Sequence, residues 1–127
     1  MRKYQPAKVT EWKNWIRLQA QQQLSQIAEF KPFVGAVGVE VDFIFSLPKS
    51  ASKREKQLLN YSGVTLWKAK RPDLGDNLFK GMADALTEIV WFDDSQIVEI
   101  HSRKFYGASP MIKITVSEKE PVGVLIR

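Results

Sequence analysis

The chain has 127 residues, 44% of them apolar, with four Trp, seven Phe and no Cys. This is enough for one domain with its own core, and it excludes disulfides, thiolate metal sites and cysteine nucleophiles. Nineteen Lys and Arg against fourteen Asp and Glu give a net charge of +5, a balance that suits a polyanionic partner. No secretory leader pattern opens the chain and no apolar run is long enough to span a bilayer. A cytoplasmic protein without membrane attachment is expected. A core this small would gain from the further burial that a homodimer supplies.

No repeat, low-complexity tract or linker divides the sequence, so residues 1–127 are expected to form a single domain. Thr10 is placed to cap a first helix, with Glu11 in its first turn. Trp12, Ile16, Ala20, Leu24 and Ile27 then recur at helical spacing. That stripe reads as core or dimer interface, and the helix stops by Lys31-Pro32. Val37, Val39, Val41, Phe43 and Phe45 alternate, which predicts a half-buried strand over Ala36–Ser46 with Glu40 and Asp42 on its other face. Lys53, Arg54 and Lys56 follow Ser50-Ala51-Ser52 in a basic turn or short helix, and Val64–Lys68 reads as a short extended piece.

Leu78, Met82 and Leu86 recur every fourth residue and predict a second helix over Asp76–Glu88. Trp91–Asp94 enters a strand over Gln96–Lys104. A second strand covers Met111–Ser117, and the apolar tail Val122–Arg127 is a candidate edge strand. The expected class is a mixed α/β (α+β) domain, two main helices on a small mixed β-sheet.

The chemistry-bearing cluster surrounds the second helix. Asp73, Asp76, Asp93 and Asp94 bracket it. Carboxylates that converge repel one another, and a hard divalent cation with oxygen ligands relieves that repulsion. Lys80 lies one turn after Asp76 on the same face, where it can stabilise charge on a phosphate. Two plainer readings stand beside this one. Asp76, Lys80 and Asp84 at i, i+4, i+8 can form a solvated salt-bridge face, and Asp73 and Asp76 can be capping residues.

An ordered set of motifs adds to the spacing. Pro72-Asp73-Leu74-Gly75-Asp76-Asn77-Leu78-Phe79-Lys80 resembles the Pro-Asp-x-Asp-Asn-Leu-x-Lys signature of RusA-type Holliday-junction resolvases. Asp84-Ala85-Leu86 and Trp91-Phe92-Asp93-Asp94-Ser95-Gln96-Ile97 are similar to the signature's downstream pieces. Phe45–Ser50 with Ser52-Lys53-Arg54 is similar to a segment of phage-borne members. Lys104-Phe105-Tyr106-Gly107 with Pro110 is similar to the closing segment. The resemblance runs from Val37 to Val116.

It implies a homodimeric endonuclease of phage or prophage type that uses Mg²⁺, with Mn²⁺ as an alternative, and cuts four-way DNA junctions symmetrically in recombination and repair. It also implies site residues. Asp76, Asp94 and Asp73 would hold the metal, and Lys80 would be the functional lysine. Asn77 and Gln96 would be supporting or capping residues. The sequence departs from the pattern twice. Leu74 and Gly75 both stand where one residue usually separates the first two acids, and Gly75 is placed to loop out. The usual opening strand is also not recognised ahead of the first helix. These departures keep an alternative in view, a catalytically impaired DNA-binding protein on the same scaffold.

Lys49, Lys53, Arg54, Lys56, Lys68, Lys70 and Arg71 precede the acids, and Arg103 and Lys104 follow them. All nine are candidates for DNA phosphate contacts. Tyr61 and Trp67 interleave with these charges and could stack on unpaired bases, although a core position is the preferred reading of Trp67. His101 shares a strand face with Arg103, and Lys104 lies on the other. His101 reads as a strand residue with no assigned role.

Overall fold

The structure is a computed structural model that describes residues 7–61, 63–121 and 123. The elements run α1 (Ala7–Leu24), β1 (Val37–Phe45), α2 (Lys53–Leu59), a π-helical turn (Leu74–Phe79), α3 (Lys80–Leu86), a short 3-10 turn (Asp94–Gln96), β2 (Ile97–Tyr106) and β3 (Met111–Glu118). This is the small mixed sheet with helices that the patterning predicts. The tail Val122–Arg127 and the segment ahead of α1 fall outside the described residues, apart from Gly123.

β1 is the central strand, in the order β2-β1-β3. It runs parallel to β2 and antiparallel to β3. β2 and β3 follow each other in sequence yet do not pair, so the 107–110 connection must cross the end of β1. Gly107 makes the crossing possible. Its amide donates to the Phe45 carbonyl at 2.9 Å, and a Cβ there would come within 2.5 Å of the Ile44 side chain.

Alternation decides which sheet face is covered. Val37, Val39, Val41 and Phe43 are buried, while Glu40 is exposed. Ile112, Ile114 and Val116 of β3 lie opposite Phe43, Val41 and Val39 and pack on the same core. α1, the π-helical turn and α3 cover that face with Ile16, Leu78, Met82, Ala85 and Leu86, and Trp91 closes it. Each large aliphatic or aromatic side chain so buried contributes about 1.5–3 kcal/mol. At Gly81 the helices touch, because a Cβ there would meet the Trp12 ring at 2.9 Å.

Three helical expectations are corrected. Thr10 lies inside α1 and not at its cap, because the helix begins at Ala7. The helix also ends at Leu24, which leaves Ile27 outside it and 54% exposed. The second helix starts earlier than Asp76 and stops at Leu86, where Thr87 takes an extended backbone. Its first part is π-helical. The Leu78 amide donates to the Asp73 carbonyl five residues back, at 3.0 Å.

Candidate active site

The acids are set by two short helical turns. Asp73 stands at the N-cap of the π-helical turn with extended backbone, and its side chain makes no capping bond. Asp76 is in the first turn and Lys80 follows as the first residue of α3. A π turn holds one more residue than an α turn needs. The extra residue between the acids is absorbed there, and Gly75 is helical and does not loop out.

Downstream, Asp93 caps the 3-10 turn by accepting the Ser95 amide at 3.1 Å. Hydrogen bonding to Ser95 holds the Asp93 carboxyl below the usual aspartate range. Gln96 ties this turn to the rest of the molecule. Its Oε1 accepts the amides of Phe92 and Asp93 at 2.8 and 2.9 Å. Its Nε2 donates to the carbonyls of Phe33 and Gly35 at 2.8 and 2.9 Å. The supporting role expected of Gln96 is therefore visible, and Asp94, beside the cap, is left exposed with its carboxylate free of that task.

Asp76, Asn77, Lys80 and Asp94 line one cleft of about 910 Å³. Asp73 is exposed and is not among the residues lining it. Among the described residues, no group of three or more His, Cys, Asp or Glu gathers closely enough to hold a metal ion. The salt-bridge ladder considered from the spacing does not form either. Asp84 pairs with Lys13 of α1 at 2.9 Å, and among the described residues no ion pair joins Lys80 to Asp76 or Asp84.

The cleft's other wall is α1, through Lys8, Val9, Trp12, Lys13 and Trp15. Sequence reasoning assigned this helix to core or interface. Its outward tryptophan and lysines were the available signal. Trp15 falls off the buried stripe and is 48% exposed.

The expected DNA-facing cations divide into two groups. Lys49, Lys53, Arg54, Lys56, Lys70 and Arg71 are exposed. Lys53, Arg54 and Lys56 lie on α2, which Ser52 and Glu55 start with a reciprocal capping box and which buries no residue. The others have partners within the chain. Lys68 Nζ lies 4.9 Å from the Phe45 ring centre and 5.2 Å from that of Tyr106. Arg103 grips Asp42 with two hydrogen bonds of 2.8 Å, and that partner raises its pKa. Lys104 Nζ donates to the carbonyls of Lys70 and Pro72, both at 2.7 Å.

Trp67 corrects the preference for a core position. It is 58% exposed and meets Phe105 edge-on, with ring centres 6.3 Å apart. Tyr61 is 63% exposed. His101 is exposed, with Nε2 3.6 Å from Glu99.

Comparison with known proteins agrees with the motif order. The family model described as Endodeoxyribonuclease RusA matches residues 1–117. Uncharacterized protein YqaN of Bacillus subtilis (strain 168) is 31% identical over 113 residues, covering 89% of this chain and 76% of that protein. Crossover junction endodeoxyribonuclease rusA of Lactococcus phage r1t is 42% identical over 53 residues, covering 41% of this chain and 40% of its own length. With the family model spanning the described α1, the acid-bearing turns and nearly all of the sheet, the chain belongs to the RusA endodeoxyribonuclease family.

Proposed function

We propose that this chain is a divalent-metal-dependent endonuclease that resolves four-way DNA junctions, with Asp73, Asp76, Lys80 and Asp94 as its reactive set. The observation that supports it most is the meeting of Asp76, Asn77, Lys80 and Asp94 on one cleft, at positions that match the family's motif. The donor chemistry fits Mg²⁺, with Mn²⁺ as an alternative. Mg²⁺ is usually held by one or two carboxylates and keeps waters and substrate phosphate as its other ligands. Asp76 and Asp94 are the two that share the cleft, and Asp73, one turn earlier, is the third candidate ligand. A bound ion there would supply an activated water and neutralise phosphoryl charge.

The chain's own groups do the remaining work. Lys80, free of both neighbouring aspartates, offers its ammonium to charge developing on the scissile phosphate. Lys8 on the opposite wall adds a second cation to the cleft. Asn77 can orient a phosphate or water by hydrogen bonding. Lys49, Lys53, Arg54, Lys56, Lys70 and Arg71 meet the flanking backbone. A two-fold symmetric dimer would place two such sites on a junction that needs two incisions. A cytoplasmic, phage- or prophage-encoded protein accompanies this reading.

The test is cleavage of a synthetic four-way junction in Mg²⁺. Asp76→Asn, Asp94→Asn and Lys80→Ala should each cut at least about 100-fold more slowly than the wild type, the size expected when a group stabilising the transition state is removed. Robust cutting by all three would remove these residues from the active site. The position of Asp73 away from the cleft favours one second reading, a junction-binding protein impaired in cleavage. Tight junction binding with no incision in either Mg²⁺ or Mn²⁺ would establish it.

A further inference from the structure

We propose that Lys104 is a positioning residue, a clamp that sets the acid-bearing turn, and not a DNA contact. The inference rests on the nuclease reading above for its kinetic test alone. Lys104 lies on β2 opposite Phe43 of β1, a buried core residue. Its side chain thus rises from the helix-covered face of the sheet, away from the face that carries His101 and Arg103. The ammonium reaches the segment just before the π-helical turn and donates to the carbonyls of Lys70 and Pro72, each at 2.7 Å. Among the described residues no carboxylate lies within ion-pair distance of it.

The Lys104 backbone works on the same segment. Its carbonyl accepts the Lys68 amide at 3.4 Å, and the next strand residue, Phe105, bridges to Trp67. Residues 67–72 are therefore pinned to β2 by both main chain and side chain. The residue after Pro72 is Asp73, whose carbonyl accepts the amide of Leu78 within the π turn. A continuous chain of bonds runs from β2 through Lys104, Pro72 and Asp73 to the turn that carries Asp76 and Lys80. β2 also begins directly after Asp94 and Gln96. One strand thereby fixes both halves of the candidate site. Charge-assisted bonds to two neutral carbonyls suit this task, because each is stronger than a neutral bond. Lys104 is half-buried, and engagement of its ammonium by two protein carbonyls turns it toward the chain and away from a phosphate.

The experiment compares Lys104→Met, Lys104→Gln and Lys104→Arg with the wild type. The readouts are junction cleavage in Mg²⁺, junction affinity in Ca²⁺ over a salt series, and amide hydrogen exchange across residues 74–80. For Lys104→Met, kcat should fall at least tenfold while affinity stays within twofold and the salt slope is unchanged. Amide exchange should accelerate at Leu78 and its neighbours but not in β1. Lys104→Arg, which can still donate to both carbonyls, should recover most of the activity, and Lys104→Gln should recover less. If Lys104→Met does not fold, the Arg and Gln variants decide, and equal activity and exchange in those two would overturn the proposal. A Lys104→Met variant that loses affinity with a shallower salt slope would mark a DNA contact and overturn it as well. If the wild type itself cuts no junction, the nuclease reading fails separately, and the exchange at residues 74–80 still tests the clamp.

Discussion

Asp93 and Asp94 are adjacent, chemically identical and differently employed. Asp93 spends its carboxylate on the Ser95 amide, while Asp94 turns to the cleft. Spacing alone does not divide such a pair, although the motif resemblance singles out Asp94, because the division depends on which residue takes the extended backbone at the cap. Asp93 does so, with φ −148° and ψ 143°. The depressed pKa of Asp93 has a consequence with a definite sign. A carboxylate favoured in the folded state stabilises above its unfolded pKa, and that contribution is lost as pH falls through its lowered folded value. Asp93→Asn keeps an acceptor for the cap but does not titrate. Its melting temperature should therefore fall less steeply than that of the wild type below about pH 4, the range in which aspartates protonate. Parallel acid limbs in the two melting profiles would show that the cap carries no such linkage.

The same contrast between legible type and illegible placement recurs among the elements. The strands were readable because the Val37–Phe43 alternation has a period that only a sheet satisfies, and the helix-covered face followed from it. The 3.6-residue stripe of Leu78, Met82 and Leu86 likewise marked the second helix. The π-helical turn was not readable. A bond from residue i to i+5 has no compositional signature, and the only trace was one residue too many between Asp73 and Asp76. That excess suggested a looped Gly75. The helix instead widens by one residue and keeps Asp76 and Lys80 on one cleft. Gly75 therefore needs none of glycine's special freedom. Its φ is not left-handed and nothing lies within 4 Å of where a Cβ would stand. Gly75→Ala should stabilise the protein by roughly 0.5–1 kcal/mol through the lower backbone entropy of the unfolded chain. Thermal unfolding should show this as a rise of a few degrees, on the order of 3–6 °C per kcal/mol for a domain between the 60–100- and 150–250-residue classes. A drop in melting temperature would mean that the turn needs glycine after all.

At the scale of the molecule, the net charge of +5 suits a polyanionic partner but picks out no surface. The nine cations proposed from sequence separate only in three dimensions. Arg103 is neutralised by Asp42, Lys68 sits over two aromatic rings and Lys104 turns to backbone carbonyls. Alternation along β2 did place Arg103 and Lys104 on opposite faces, but what each face meets depends on elements far away in sequence. The cations left facing solvent are concentrated on α2 and the segments flanking it. α2 buries no residue and is held by its own capping box, so its charges can be removed with little cost to the core. This allows electrostatics to be tested apart from folding. The combined variant Lys53→Gln, Arg54→Gln, Lys56→Gln retains Ser52 and Glu55 and should melt within a few degrees of the wild type. If each of the three neutralises one phosphate, the slope of log affinity against log salt should fall by about 0.9 per contact, or between about 2 and 3 in all. The loss in affinity should be largest at low salt and should be shared by junction and duplex DNA, since phosphate contacts carry no sequence information. An unchanged slope would take α2 off the DNA path and leave Lys49, Lys70 and Arg71, which are also exposed, to carry the backbone.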